Sequence, residues 1–237
     1  MKIFIDPGHN YSGADTGAAG NGLREQDVSF FVGSYLAKYL SDAGFLVKCS
    51  RNKLADNVAA TFNRSINYRY MQANEFKADY FISLHCDASA DKNAKGAHVC
   101  VYSKNSTAEK LAGAVIKKLI PLGLDGRSEK IAERKNLGVL KHTNMPAILI
   151  EMGFITNPEN ANLMRSPEVI ARAIFEGICD FTGVKAEKEY MSVNDAIALM
   201  SDRGIISDTE KWYNGTWNDA DFKWLLRKVG TYIADKM

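Results

Sequence analysis

The stretch Lys2-Ile3-Phe4-Ile5-Asp6-Pro7-Gly8-His9-Asn10 decides the fold. Residues 2–6 are short, apolar and β-prone, as a buried strand should be. Pro7-Gly8 ends that strand, because proline has no N–H for the ladder and glycine permits a sharp turn. His9 therefore arrives just past a strand end, where open α/β sheets put their ligands. One histidine after a turn decides little alone. Its meaning depends on what the other strand ends carry.

Outward from this stretch, strands and helices alternate. A Gly-rich loop over residues 12–22, with Asp15 inside it, precedes a helix. Val28, Phe31, Val32, Leu36, Tyr39 and Leu40 mark its buried face, and Gly44 closes it. Residues 45–49 read as a second strand. Asn57 is expected to cap a helix carrying Val58, Phe62, Ile66 and Tyr70, with Arg64, Arg69 and Lys77 on a solvated face. Residues 79–84 form a third strand that runs into His85-Cys86-Asp87, and residues 97–102 a fourth, with His98 as a structural residue within it. Ser106-x-x-Glu109 is a capping box that opens a helix through Ile120. Residues 121–136 read as a polar surface loop and 137–140 as a short strand. Residues 147–150 are a strongly apolar strand with Glu151 at its end. Asn157-Pro158 and Ser166-Pro167 each start a helix, and Gly183 closes the second.

This alternation implies a doubly wound, mostly parallel α/β sheet flanked by helices over residues 1–184. Residues 185–190 are short, charged and linker-like. Residues 191–237 are expected to form a small all-α module, with one helix capped by Ser192-x-x-Asp195 and another over 219–233. All three tryptophans, Trp212, Trp217 and Trp224, lie there. Core packing is their ordinary role, and stacking on sugar rings the functional one. So small a unit is expected to dock or to form a homodimer.

Composition narrows the classes. In 237 residues, 46% apolar and 24% charged residues are ordinary for a soluble globular chain. A net charge of +2 provides no drive toward nucleic acid or anionic membranes. No run is long enough for a membrane span, and no signal peptide precedes the first strand, so synthesis in the cytoplasm is expected. The four cysteines have no CxxC spacing and read as free thiols.

The chemistry is carried by dispersed residues. His9, His85 and Glu151 stand at strand ends, and Glu25 at the mouth of the first helix. In a parallel sheet such positions converge on one edge. Two imidazoles and one carboxylate suit a catalytic zinc with a fourth position for water. A second carboxylate outside that set is the base that metal-assisted hydrolysis needs. The spacing is too dispersed to prove this geometry by itself. Around this set, Asp6 is either a turn cap or a group orienting a ligand. Asp87, two positions after His85, is a turn cap or a contact to metal or substrate. His142 is a candidate substrate contact from a loop beside the site.

Four stretches bear a resemblance: Ile5-Asp6-Pro7-Gly8-His9, Gly22-Leu23-Arg24-Glu25, Ser83-Leu84-His85-Cys86-Asp87-Ala88 and the run from Pro146 through Glu151-Met152-Gly153-Phe154 to Asn157. In that order, across residues 1–183, they resemble the zinc-dependent N-acetylmuramoyl-L-alanine amidases with a doubly wound α/β catalytic domain. The resemblance implies one Zn2+ held by His9, Glu25 and His85, with Glu151 as catalytic acid/base. It also implies hydrolysis of the amide joining N-acetylmuramic acid to L-alanine in peptidoglycan. Glu151 would take a proton from the attacking water and return it to the departing L-alanine amine. The segments 192–197 and 203–206 look like small helical modules of phage-associated wall hydrolases, which implies wall binding by the tail. The expected absence of a leader then fits a phage endolysin released through a holin. The alternatives are a host autolysin of the same activity, a zinc peptidase cutting within the stem peptide, and an inert wall-binding protein.

Overall fold

The opening stretch forms β1 (Lys2–Pro7), which ends at its proline. A two-rung antiparallel hairpin, β2 (Ala19–Gly20) and β3 (Leu23–Arg24), leads into α1 (Glu25–Asp42). Then come β4 (Leu46–Cys49), α2 (Phe62–Phe76), β5 (Tyr80–Asp87), β6 (His98–Val101), α3 (Thr107–Leu119), β7 (Ile131–Glu133), α4 (Gly138–Lys141) and β8 (Ala147–Phe154). After β8 come α5 (Pro158–Met164), α6 (Pro167–Thr182), α7 (Val193–Asp202), α8 (Thr209–Tyr213) and α9 (Asp219–Ala234). The computed structural model describes residues 1–185 and 193–234. The chain divides into two units, Met1–Lys188 and Glu189–Met237.

In the first unit, six strands lie in the order β4-β1-β5-β8-β6-β7. β4, β1, β5 and β8 are mutually parallel, while β6 runs antiparallel to β8 and carries β7 parallel to itself. Side chains alternate across the sheet. Ile3, Ile5, Ile82, Leu84, Ile148 and Ile150 therefore share a core with α1, α3 and α6. Phe4, Phe81, Leu149 and Cys100 face the other way, against Ala73 of α2 and Val139 and Leu140 of α4. Phe4 and Phe81 are fully buried and stacked at 5.9 Å, each contributing about 1.5–3 kcal/mol by burial. Continuing the same alternation by two residues puts Asp6, then Ser83 and His85, then Glu151 on this second face. The functional residues thus project beside α2, where the strands leave the core.

Three local expectations are corrected. Residues 131–133, read as loop, form β7 because they pair with Val99, Cys100 and Val101. That pairing has no local signature. Residues 137–140, read as a strand, contribute to α4, since a four-residue apolar run has no period to separate a buried turn of helix from a strand. α2 begins at Phe62 with Thr61 as its cap, accepting from the Arg64 N–H, and not at Asn57. Asn57 is engaged elsewhere: its side chain accepts from the Ser12 N–H and donates to the Ser12 hydroxyl.

In the second unit, Ile197, Ile205 and Ile206 are buried against Met200, Trp212, Leu225, Val229 and Tyr232. Trp212 packs into this core, whereas Trp217 and Trp224 are exposed, with Trp217 stacked on Trp212 at 6.2 Å. The expected cap at Ser192 and the expected linker beyond Lys185 lie outside the described residues. Among the described residues no helix is long and apolar enough to cross a membrane.

Candidate metal centre and active site

His9 has φ 67°, in the left-handed region that histidine adopts only when its surroundings hold it. The Asn10 N–H donates to the Asp15 carbonyl, and the Asn10 side chain is bonded to the Val58 N–H and the Ala59 carbonyl. The segment before α2 is therefore tied to the turn that carries His9. A Cβ on Gly8 would stand 2.5 Å from His85 Cε1, so only glycine lets the turn pass. His9 Nδ1 lies 3.2 Å from Asp15 Oδ1. An ionised carboxylate accepts there, so Nδ1 carries a hydrogen and Nε2 is the nitrogen that would bind a metal.

Glu25 is the first residue of α1, where the positive end of the helix favours its charge. Its Oε2 accepts from the Ala18 N–H at 2.8 Å and its Oε1 from the Cys86 N–H at 3.0 Å. His85 projects from β5. His9 Nε2, Glu25 Oε1 and His85 Nδ1 close a triangle with sides of 2.9, 3.0 and 3.1 Å. Ligands about 2.0–2.1 Å from a tetrahedral zinc stand about 3.3 Å apart, so the triangle needs only a few tenths of an ångström of opening. The donor set fits that metal. Without a cation, protons must fill the space. Burial lowers the His9 pKa, but hydrogen bonds to Asp15 and Glu25 outweigh it and raise the value to about 9. Burial opposes the charge on Glu25, yet His85 and His9 hold its carboxyl well below the usual range.

Glu151 lies one strand further along, in register with His85 on one side and His98 on the other. It adds no atom to the triangle. Its Oε2 is buried with no hydrogen-bond partner. Burial, then the charges of Asp87 and Glu25, push its pKa well up.

Behind His9 lies a network that the sequence reading missed. Asp15 Oδ2 accepts from the Ser65 hydroxyl and from Arg69 Nη2. Arg69 Nη1 donates to Asp6 Oδ1 and to the Pro7 carbonyl, both at 3.0 Å. Asp6 also accepts from the Ser50 and Ser83 hydroxyls. Burial works against ionised Asp6, but Arg69 and the Ser50 hydrogen bond hold its pKa below the usual value. Arg69, expected in solvent, is only 3% exposed, because α2 packs over the face from which Asp6 projects. Asp6 caps no turn. It reaches His9 through Arg69 and Asp15.

Asp87 stays out of the triangle and pairs with Arg127 Nη2, a residue to which the sequence reading gave no role. His98 Nδ1 stands 3.3 Å from Asp87 Oδ2 without a hydrogen bond to it. His142 is brought nowhere near the site. It follows α4, packs on Tyr70 at 5.2 Å, and its carbonyl accepts from Asn74 near the end of α2. That is the edge where β8 begins, and Glu151 stands toward the other, so the expected substrate contact is corrected.

The N-acetylmuramoyl-L-alanine amidase family model matches residues 3–180. The chain belongs to the N-acetylmuramoyl-L-alanine amidase family. The amidase is 29% identical to the germination-specific N-acetylmuramoyl-L-alanine amidase of Bacillus subtilis (strain 168), over 78% of its own length and 81% of that relative's. It is 28% identical to the endolysin of Bacillus phage SPP1, over 96% of its own length and 84% of that relative's. The crystal structure of an N-acetylmuramoyl-L-alanine amidase from Clostridium difficile 630 superposes with a TM-score of 0.67 at 29% identity, covering 78% of this chain and 98% of that one. The amidase fold and a triangle of groups that could hold a metal ion therefore occur in one molecule.

Proposed function

We propose that this amidase hydrolyses the bond between N-acetylmuramic acid and L-alanine of peptidoglycan with one zinc ion, and that it does so as a lytic enzyme of the endolysin kind. The observation carrying the reading is the triangle of His9 Nε2, Glu25 Oε1 and His85 Nδ1, with an uncommitted Glu151 carboxyl beside it. When bound, a zinc ion supplies a Lewis acid and a water of pKa about 7, and its charge opposes the raised pKa of Glu151. His9, Glu25 and His85 would hold the ion. The Glu151 carboxylate takes a proton from the attacking water and returns it to the nitrogen of the departing L-alanine. Asp15 keeps His9 in the tautomer whose Nε2 faces the ion.

The lytic role is supported by the extent of the similarity to the phage endolysin, which runs through 96% of the chain, whereas the family model ends at residue 180. Glu151→Gln should bind one zinc per chain and release no peptide from purified walls, whereas His85→Ala should lose the metal. Mass spectrometry of wild-type digests should find intact glycan and free peptides beginning at L-alanine, abolished by a chelator. Zinc loss from Glu151→Gln would overturn the assignment of roles, and cuts inside the peptide would move the bond.

A further inference from the structure

We propose that Arg127 anchors a carboxylate on the peptide side of the substrate. The inference rests on the reading above, in which Glu151 hands its proton to the departing amine. Along the face that carries the site, the turn after β1 and then β5, β8 and β6 present in order His9, His85, Glu151 and His98. The metal triangle involves the first two, so the carbonyl under attack lies beside them and the departing nitrogen against Glu151. The peptide that continues from that nitrogen runs on toward β6, away from His9. Asp87, His98 and Arg127 meet there.

Arg127 is built into that position. It belongs to the segment between α3 and β7, which is pressed against the entry to β6: a Cβ on Gly126 would stand 2.6 Å from the Lys95 carbonyl. The guanidinium is held on its edge by Asp87 and on its face by the Phe154 ring, 4.5 Å away. The side chain nevertheless stays 30% exposed. No described residue bonds Nη1, and Nε is buried without a partner. Nη2 is committed to Asp87, and Nη1 is the amino group left for a ligand. A planar guanidinium fixed in this way recognises a second carboxylate with little loss of side-chain freedom. A peptide released at its amino end carries such a group at its other end.

Two substrates separate this role from mere clamping of Asp87: N-acetylmuramoyl-L-alanyl dipeptides ending in a free carboxylate or in a carboxamide. The wild-type enzyme should favour the carboxylate through a KM about tenfold lower, with similar kcat. Arg127→Gln, which still hydrogen-bonds Asp87, should raise KM for the carboxylate alone and erase the preference. Arg127→Lys should restore part of it. A wild-type enzyme without preference, or an Arg127→Gln enzyme impaired equally on both substrates, would overturn the proposal. Inhibition of the wild-type enzyme by the product dipeptide and by its amide reads the same subsite without any variant, and equal inhibition would also sink it. Failure to cleave either compound, or intact walls, counts against the amidase reading instead.

Discussion

Asp15→Asn isolates what the buried network contributes to the metal centre. The carboxylate bridges His9 Nδ1 on one side and the Ser65 hydroxyl and Arg69 Nη2 on the other. An asparagine of the same shape cannot serve both sides. With its oxygen toward His9, its NH2 faces the Arg69 donor; reversed, its NH2 faces the Nδ1–H. Either way the negative charge that makes Nε2 a better ligand is gone. Loss of such a partner typically weakens metal binding 10- to 100-fold, or about 1.4–2.7 kcal/mol. The fold should survive, because Arg69 keeps Asp6 and the Pro7 carbonyl. The impaired pair should still cost roughly 1–3 kcal/mol, lowering the metal-free Tm by about 2–4 °C per kcal/mol. Competition with a chromophoric chelator measures the zinc Kd. Ser65→Ala, which removes only a neutral donor, should weaken binding far less. A folded Asp15→Asn protein that binds zinc within about threefold of wild type would refute the reasoning.

Two further expectations concern the same centre. A Cβ at Gly17 would stand 2.6 Å from Glu25 Oε2 and 2.8 Å from His9 Cδ2, so Gly17→Ala should displace both ligands. Zinc content after gel filtration should drop to near zero while the circular dichroism melt of the metal-free protein stays within a few degrees of wild type. For pH, the folded metal-free protein holds His9 at about 9, against about 6.5 unfolded. The stability this contributes is complete below about pH 6.5 and disappears as pH rises through about 9. Melts of metal-free protein should fall across that window by a few kcal/mol at most. Zinc uptake at pH 7.5 should correspondingly release at least the His9 proton, read by calorimetry in two buffers of different ionisation enthalpy.

How far the sequence led can be followed residue by residue. The Lys2–Asp6 strand broken by Pro7-Gly8, the apolar run 147–150 and the Pro-started helices at 158 and 167 are local signals, and each became the element expected. The motifs that carry His9, Glu25, His85 and Glu151 were legible because a sheet edge gathers strand ends, whatever their distance in sequence. The strand at 131–133 was not, since its only support is a partner some thirty residues earlier.

By itself, then, the sequence determined an alternating α/β chain and the placing of His9, His85 and Glu151 at or just past strand ends, since both follow from local periodicity and breakers. Only the tertiary structure decided that Arg69 is buried between Asp6 and Asp15, that Arg127 reaches Asp87, and that His142 belongs to the opposite edge. A charged residue on a helix or in a loop looks the same in sequence whether it faces water or a buried carboxylate. The difference arises when another element closes over it, and desolvation makes the pairing obligatory.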